Sequence, residues 1–535
     1  MALAARGLPQ AAPAEGSIGR IMACVLLFAV LARALGYTGY FGSDEVTYTE
    51  QAFKLLDGDW SVDGYVGANR YGVNLPVALF AVLFGRNEFG AAFYSLISSV
   101  TEVGLLTWIA YRAFGARTAL IAGLLLASLP THIHFAGRLM ADAPLGLTLT
   151  AAFVLFFEGE VRRSAQAYFW AGFSVGLSFW IKPPVTVFVA AVFIAYPLVA
   201  RRLDARWLWV IAGAVVAVGL NCLTLWILSG NFWYIFDVTR ERLSSGYLEA
   251  GVSGGEIATG ADYYLKYLFV RAYHTGLLGF LAVIALLIAW RRRATLTGAE
   301  RFGLRFAMFW SLGFLLILSL LPVSLQPLIF VPKQTNYLLI FVAPLCLLAA
   351  WGLARLSAAW AFAITACSVV IGLVFALLLQ GSVAVFTANS WATLKHIQHK
   401  PDAVFYVMSN AQRAATFQSL IGGADLRRRV HPIRDLLPPS AGAGRTPAAA
   451  GDRYAVVDEE SFSWDGSRPF ARPGDVPGCW IETELLQGHP SGLGVALLRA
   501  ASAIPGLDAL GLGARLRRQS TPLPARVYWL PAGSC

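Results

Sequence analysis

The sequence predicts a polytopic α-helical membrane protein of about eleven spans, followed by a small extracytoplasmic α/β domain. Two observations carry that class. Of 535 residues, 57% are hydrophobic and only 14% charged, with a mean hydropathy of +0.60, whereas soluble proteins are about 45–50% apolar and about 25% charged. The apolar residues also come in long runs separated by short arginine clusters, the pattern of a multi-spanning chain. These features exclude a disordered chain, a coiled coil and an ordinary soluble enzyme. The net charge of +11 reads as membrane topology and gives no reason to invoke nucleic acid.

Eleven apolar runs can be marked, at roughly 20–36, 88–111, 118–135, 143–157, 166–181, 184–200, 207–229, 273–290, 303–322, 337–354 and 358–380. Several are short for a bilayer that needs about 20 residues, so the third and fourth are candidates for tilted or re-entrant segments. Arginine sets the orientation. Arg112/Arg117, Arg162/Arg163, Arg201/Arg202/Arg206, Arg291–Arg293 with Arg301/Arg305, and Arg355 occupy alternate connections, and the N-terminal tail of residues 1–19 carries Arg6. The positive-inside rule makes that side cytoplasmic. Eleven spans then put the tail 381–535 outside, leaving the transmembrane domain at 20–380 with outside loops 37–87 and 230–272. This layout fits a multi-pass protein of a bacterial inner membrane, N-terminus inside and C-terminal domain periplasmic. Ala32-Arg33-Ala34 resembles a signal-peptidase site, but an uncleaved anchor is the preferred reading.

In the tail, DAVFYVM, RYAVVD, CWIETELL and GVALLRA read as strands, and Leu436–Gly451, rich in Pro, Ala and Gly, reads as a disordered insert. Four cysteines lie in apolar runs and read as small hydrophobes. Cys479 and Cys535 lie in the outside tail, where oxidation can pair them.

The chemistry concentrates in the first outside loop. After span one comes Gly42-Ser43-Asp44-Glu45-Val46-Thr47-Tyr48. Val46, Thr49, Phe53 and Leu56 recur at helical spacing, which predicts an amphipathic helix on the membrane surface over 44–56, ended by Gly58. Asp44 and Glu45 then occupy its first turn, where the helix dipole favours an ionised carboxylate, as a general base requires. The same position also suits plain helix-capping residues. Further on come Arg70-Tyr71-Gly72-Val73-Asn74-Leu75-Pro76, Phe84-Gly85-Arg86-Asn87-Glu88-Phe89-Gly90, and, after span three, Arg138-Leu139-Met140-Ala141-Asp142-Ala143-Pro144. Lys182-Pro183 follows the fifth span, and Tyr337 opens the tenth.

This ordered set resembles the GT-C membrane glycosyltransferases, in particular the bacterial family-39-like relatives of protein O-mannosyltransferases and of lipid A aminoarabinose transferase. The resemblance covers most of residues 20–380 and is densest over 40–145. It implies a GT-C fold with two surface helices in the first outside loop. It also implies a polyprenyl-phosphate-linked sugar donor and an extracytoplasmic acceptor, whether a glycan, glycolipid or protein. Asp44 matches the catalytic aspartate, and Glu45 and Asp142 match other acidic positions. Where such relatives carry Lys-Pro before the second surface helix, this chain has Arg70 six residues ahead of Pro76.

The leaving group would be a polyprenyl phosphate, whose developing charge calls for cations. Outside loops of a positive-inside protein are poor in cations, so those at outer span ends are candidates: Arg70, Arg138, Lys182, Arg240, Arg242, Arg271 and Lys333, with Glu45, Tyr48, Asp142 and Tyr337 as further substrate-binding candidates. Only six lysines stand beside thirty-six arginines, which makes Lys182 and Lys333 notable as compact phosphate binders. The competing explanation is snorkelling to lipid headgroups.

Other patterns read as structural. Asp57–Gly64 superficially matches a calcium loop, but Val62 stands where glycine is required. His132/His134 and His396/His399 lack a further ligand set. No cofactor is required by the sequence, and a divalent cation finds no support in it. The alternatives to a transferase are a transporter or flippase for a lipid-linked sugar, which would call for internal repeats and midplane charges, and an oligosaccharide ligase or polymerase.

Overall fold

The computed structural model describes residues 15–242, 260–326, 328–422, 426–436, 452–459, 475–507 and 512–531. Every one of the eleven apolar runs is helical, because lipid offers no partner to backbone N–H and C=O groups and a helix satisfies them internally. The first ten helices in chain order are α1 (Glu15–Leu35), α2 (Asp44–Leu56), α3 (Tyr71–Phe84), α4 (Glu88–Phe114), α5 (Ala116–Ala127), α6 (Pro130–Ala136), α7 (Asp142–Arg162), α8 (Ala165–Ile181), α9 (Pro183–Ala200) and α10 (Leu208–Ser229). Further long helices cover Leu278–Arg291, Gly298–Leu320, Val342–Leu353 and Ala358–His399.

Among the described residues, seven helices are long and apolar enough to cross a bilayer by themselves. The third run is broken: α5 and α6 meet at 59°, where Pro130 opens the second piece without an N–H to donate. The fourth run, α7, is an unbroken helix of 21 residues, so of the third and fourth runs only the third is broken. The helices of the remaining three runs are 17, 14 and 12 residues long. At about 1.5 Å per residue, twelve residues reach about 18 Å, short of a bilayer core of about 30 Å. Val342–Leu353 is buried along its whole length, which makes it an interior helix surrounded by protein.

The arginine loops meet one another. Glu158 near the end of α7 takes Arg112 at 3.1 Å and Arg162 at 2.6 Å. Glu160 takes Arg202 at 2.6 Å, Arg355 pairs with Glu300, and Arg117 donates to the Leu356 and Ser357 carbonyls. Helices α7 and α9 both end on an arginine in the left-handed conformation, Arg163 and Arg201, a position more often taken by glycine.

The chain divides into two compact units. One holds residues up to 37 with 54–79 and 92–376, and the other holds 38–53, 80–91 and 377–535. In the second unit a five-stranded sheet has the order β4-β3-β5-β7-β6, built from β3 (Val404–Val407), β4 (Val430–Pro432), β5 (Arg453–Val457), β6 (Ile481–Leu486) and β7 (Ala525–Trp529). β3 pairs in parallel with β4 and β5, and β7 runs antiparallel to both β5 and β6. Alternation sends Phe405 and Val407 into the core on one face and Val404 and Tyr406 into that on the other. A hairpin of β1 (Pro322–Leu325) and β2 (Leu328–Phe330) belongs to the first unit.

Three of the four expected tail strands form. GVALLRA is instead part of a helix, Leu493–Ser502, with Gly494, Val495 and Leu498 buried. Their i, i+1, i+4 spacing fits a helix, and the adjacent Leu497-Leu498 breaks the alternation a strand needs. Gly494 lies so close to Leu377 and Gly381 that a Cβ there would collide with their backbones. The expected disordered insert lies outside the described residues apart from Leu436, which closes a 3₁₀ turn. Cys479 is disulfide-bonded, the four cysteines of the apolar runs are free thiols, and Cys535 lies outside the described residues.

Candidate active site

Helix α2 spans Asp44–Leu56 with both acids in its first turn, and Gly58 follows it at φ +84°. Its apolar face does not rest on a membrane surface: Val46, together with Tyr40, is buried in a core with Leu394, Phe405 and Val527. The two neighbouring carboxylates do different work. Glu45 is 2% exposed and accepts the backbone N–H groups of Phe41, Gly42 and Ser43 at 2.7, 2.6 and 3.0 Å. It therefore folds the entering loop back onto the helix. Asp44 is half-buried, and its Oδ2 accepts the hydroxyl of the buried Tyr48 at 3.3 Å. Of the pair, Asp44 is the less buried.

The C-terminal domain holds this loop in place. Tyr40 donates to the Asn410 carbonyl at 3.1 Å, and Arg413 donates to the Gly42 carbonyl at 3.2 Å. Gly42 sits at φ +94°, and a Cβ there would overlap the Asn410 side chain. Arg427 pairs with Glu50 at 3.1 Å.

In the first unit, most of the other candidates converge on the segment between β2 and the helix starting at Val342. Lys182 Nζ lies 2.9 Å from Asp142 Oδ1, with the two side chains only 8% and 2% exposed. Asn336 donates to Asp142 Oδ2 at 3.1 Å, and Lys182 Nζ sits 4.6 Å from the Tyr337 ring centre. Lys182 and Asp142 thus bind each other in this structure. Thr335, one residue earlier, donates to Tyr267 at 3.0 Å, and Tyr267 also accepts Arg271 at 3.2 Å. Arg271 itself is exposed. Lys333, 4% exposed, gives one of its three N–H donors to the Val331 carbonyl at 2.7 Å. Burial pushes its ammonium down to about 8.

Arg138 is buried with its guanidinium 4.9 Å from the Phe135 ring, and Ser95 pins the next turn through both backbone groups of Met140. Arg70 is buried just before α3. Two residues later Gly72 packs on Trp180 and Ile181, which brings the Arg70 turn to the helix end that carries Lys182. Arg240 is exposed on Tyr234–Arg242, and the side chain of Arg242 is outside the described residues. Asp59 and Asp63 each accept the N–H two residues on, from Ser61 and Tyr65, so that stretch folds as polar turns.

One polar cluster escaped sequence reasoning. Arg33, 2% exposed, donates to Ser99 at 2.9 Å and to His132 Nδ1 at 2.6 Å. His132 Nε2 lies 3.0 Å from Glu102 Oε2, and Thr150 donates to Glu102 Oε1 at 2.9 Å. Arginine only donates, so Nδ1 accepts and Nε2–H points at the carboxylate. The histidine bridges a separated ion pair across α1, α4, α6 and α7. Asp142, Gly146 and Thr150 form one stripe of α7, and Glu102 packs on the last two. The signal was present: Glu102 and Arg33 are ionisable residues inside apolar runs. This burial also suits a retained anchor helix at Ala32–Ala34.

Comparison with known proteins extends these observations. The family profile of dolichyl-phosphate-mannose-protein mannosyltransferases matches residues 72–228. The undecaprenyl phosphate-alpha-4-amino-4-deoxy-L-arabinose arabinosyl transferase of Aeromonas salmonicida is 28% identical over 173 residues, covering 30% of this chain and 31% of that one. Its namesake from Yersinia pestis strain Pestoides F is 27% identical over 328 residues, 57% of this chain and 54% of that one. The matched stretches thus span about a third to about half of these relatives' length. The crystal structure of ArnT from Cupriavidus metallidurans bound to undecaprenyl phosphate superposes with a TM-score of 0.55 at 15% identity, covering 98% of this chain and 99% of that one. At that identity the likeness is one of fold. Profile, relatives and solved structure point the same way: the chain has the fold seen in the GT-C membrane glycosyltransferases.

Proposed function

We propose that this protein moves a sugar from a polyprenyl-phosphate donor to an extracytoplasmic acceptor, with Asp44 as general base. The observation that supports the reading is the division of labour at the start of α2, where Glu45 is buried and held by three loop N–H groups while Asp44 is only half-buried. The relatives' names, each an undecaprenyl-phosphate aminoarabinose transferase, support the donor class. The acceptor hydroxyl oxygen attacks the anomeric carbon, the bond from that carbon to the phosphate oxygen breaks, and the hydroxyl proton passes to Asp44. Polyprenyl phosphate leaves as the anion, and protein cations lower the barrier by meeting its growing charge. Lys333 and Arg271 suit that task, because the Lys333 ammonium has two further N–H donors beyond its bond to Val331 and Arg271 is open to solvent. Lys182 holds Asp142. The test is incubation of purified protein with a labelled polyprenyl-phosphate sugar and candidate acceptors. Transfer to any of them supports the reading, and the absence of donor consumption rejects it.

A pH dependence follows from Lys333. Its ammonium is charged below about 8 and neutral above, and only the charged form attracts phosphate. Polyprenyl phosphate should therefore bind progressively more weakly as pH rises through about 8, a loss that Lys333→Arg should remove because guanidinium stays charged. Titration of binding from pH 6.5 to 9.5 checks this, and an equal decline in Lys333→Arg would place the titrating group elsewhere.

Orientation is part of the same proposal: N-terminus inside, C-terminal domain outside. An alkaline phosphatase reporter fused after residue 535 should be active, whereas activity of a cytoplasm-dependent reporter there would overturn the odd number of spans.

A further inference from the structure

The second unit contains an open groove of about 1090 Å³, just above the usual range for ligand pockets. Its floor is the helix that ends at His399. Ala384, Ala388 and Ala392 recur every fourth residue and leave room where larger side chains would fill it. Trp391, Lys395 and His399 follow the same four-residue step on an adjacent stripe, which turns polar after Trp391, and all line the groove. The opposite wall runs from the end of β6 into the next loop and carries Glu484, Gln487 and His489. That wall is fixed, because Gly488 donates to Asn389 at 3.1 Å and a Cβ on Gly488 would strike Ala388.

The groove joins an aromatic plate to hydrogen-bonding groups of both kinds. Trp391 is held edge-on by Tyr40 at a centroid distance of 5.2 Å and remains 36% exposed. Around it stand an ammonium, imidazoles, a carboxylate and an amide, which together donate and accept. An acyl chain laid here would strip water from these groups without replacing it, and a simple anion would engage Lys395 and Lys400 but leave the indole and the Glu484–His396 pair, 3.4 Å apart, unused. A sugar suits both features: its C–H face stacks on indole, and each hydroxyl both donates and accepts. Tyr40, also lining the groove, precedes Asp44 by four residues, so their Cα atoms are at most about 14 Å apart.

We propose that this groove binds the saccharide portion of the acceptor. The inference rests on the transferase reading and adds the acceptor's class and place to it.

The test uses purified full-length protein without donor and a panel of hexose, N-acetylhexosamine and phosphorylated hexosamine tetrasaccharides, with binding measured by calorimetry. At least one probe should bind, at least about tenfold more weakly in Trp391→Ala and in His489→Ala, while Trp391→Phe keeps most of the affinity. Lys395 and His489 are exposed, so Lys395→Ala and His489→Ala keep the test decisive if Trp391→Ala fails to fold. No binding across the panel, binding indifferent to these substitutions, or equal competition by inorganic phosphate would each overturn the proposal. Because donor is absent, saccharide binding by a protein that consumes no donor would remove the transferase reading and leave the groove as a sugar site. Donor consumption without groove-dependent binding would do the reverse.

Discussion

Asp44→Asn is expected to fold and reach the membrane like the wild type while sugar transfer falls by about 10²-fold or more, the scale of general-base catalysis. The substitution keeps the side chain's shape. Its Oδ can still accept from Tyr48, which now bonds Asp44 Oδ2 at 3.3 Å. The loop does not depend on Asp44, because Glu45 holds Phe41, Gly42 and Ser43. What is lost is the ability to take a proton. Glu45→Ala should show the opposite pattern, with the buried Gly42 N–H and the part-buried N–H groups of Phe41 and Ser43 left without their acceptor and a protein that unfolds at lower temperature. Transfer rates and melting curves of the two variants separate the roles. Near-normal transfer by well-folded Asp44→Asn protein would remove Asp44 as the base.

How much of this was legible beforehand differs from element to element. Helix α2 was, from Asp44 to Leu56, because the spacing of Val46, Thr49 and Phe53 and the stop at Gly58 are local signals. Its environment was not. The residues that cover Val46 and brace Gly42 lie some 350 to 480 positions away, and no local pattern announces such pairing. The apolar runs announced helices but not which were interior: Val342–Leu353 is as apolar as a lipid-facing span, and only its neighbours make it a core helix. GVALLRA failed because seven residues with a broken alternation do not separate strand from helix. Among the candidate cations, composition singled out Lys182 as a phosphate-binding candidate. It could not show that its partner is a buried carboxylate 2.9 Å away, since Asp142 and Lys182 belong to different helix ends forty residues apart.

That pair sets the second large effect. Lys182→Ala leaves the Asp142 carboxylate buried with only Asn336 as its neutral donor, and breaking a buried pair from one side costs about 3–5 kcal/mol. A marked fall in melting temperature and in folded yield should follow. Asp142→Leu with Lys182→Met removes both charges and fills similar volume, a replacement that is often neutral or stabilising, so the double variant should recover the wild-type melting temperature. Activity then separates two roles that the single variant confounds. If Lys182 serves by holding Asp142 and the Asn336–Tyr337 segment in place, the recovered double variant should bind polyprenyl phosphate like the wild type. If Lys182 also grips the phosphate, for instance by exchanging Asp142 for it when donor arrives, the double variant should be stable and yet bind the lipid phosphate at least about tenfold more weakly. The geometry favours the first outcome, because an ammonium 8% exposed, paired to a carboxylate and lying over the Tyr337 ring, would have to desolvate and break an existing ion pair before it could meet a new anion.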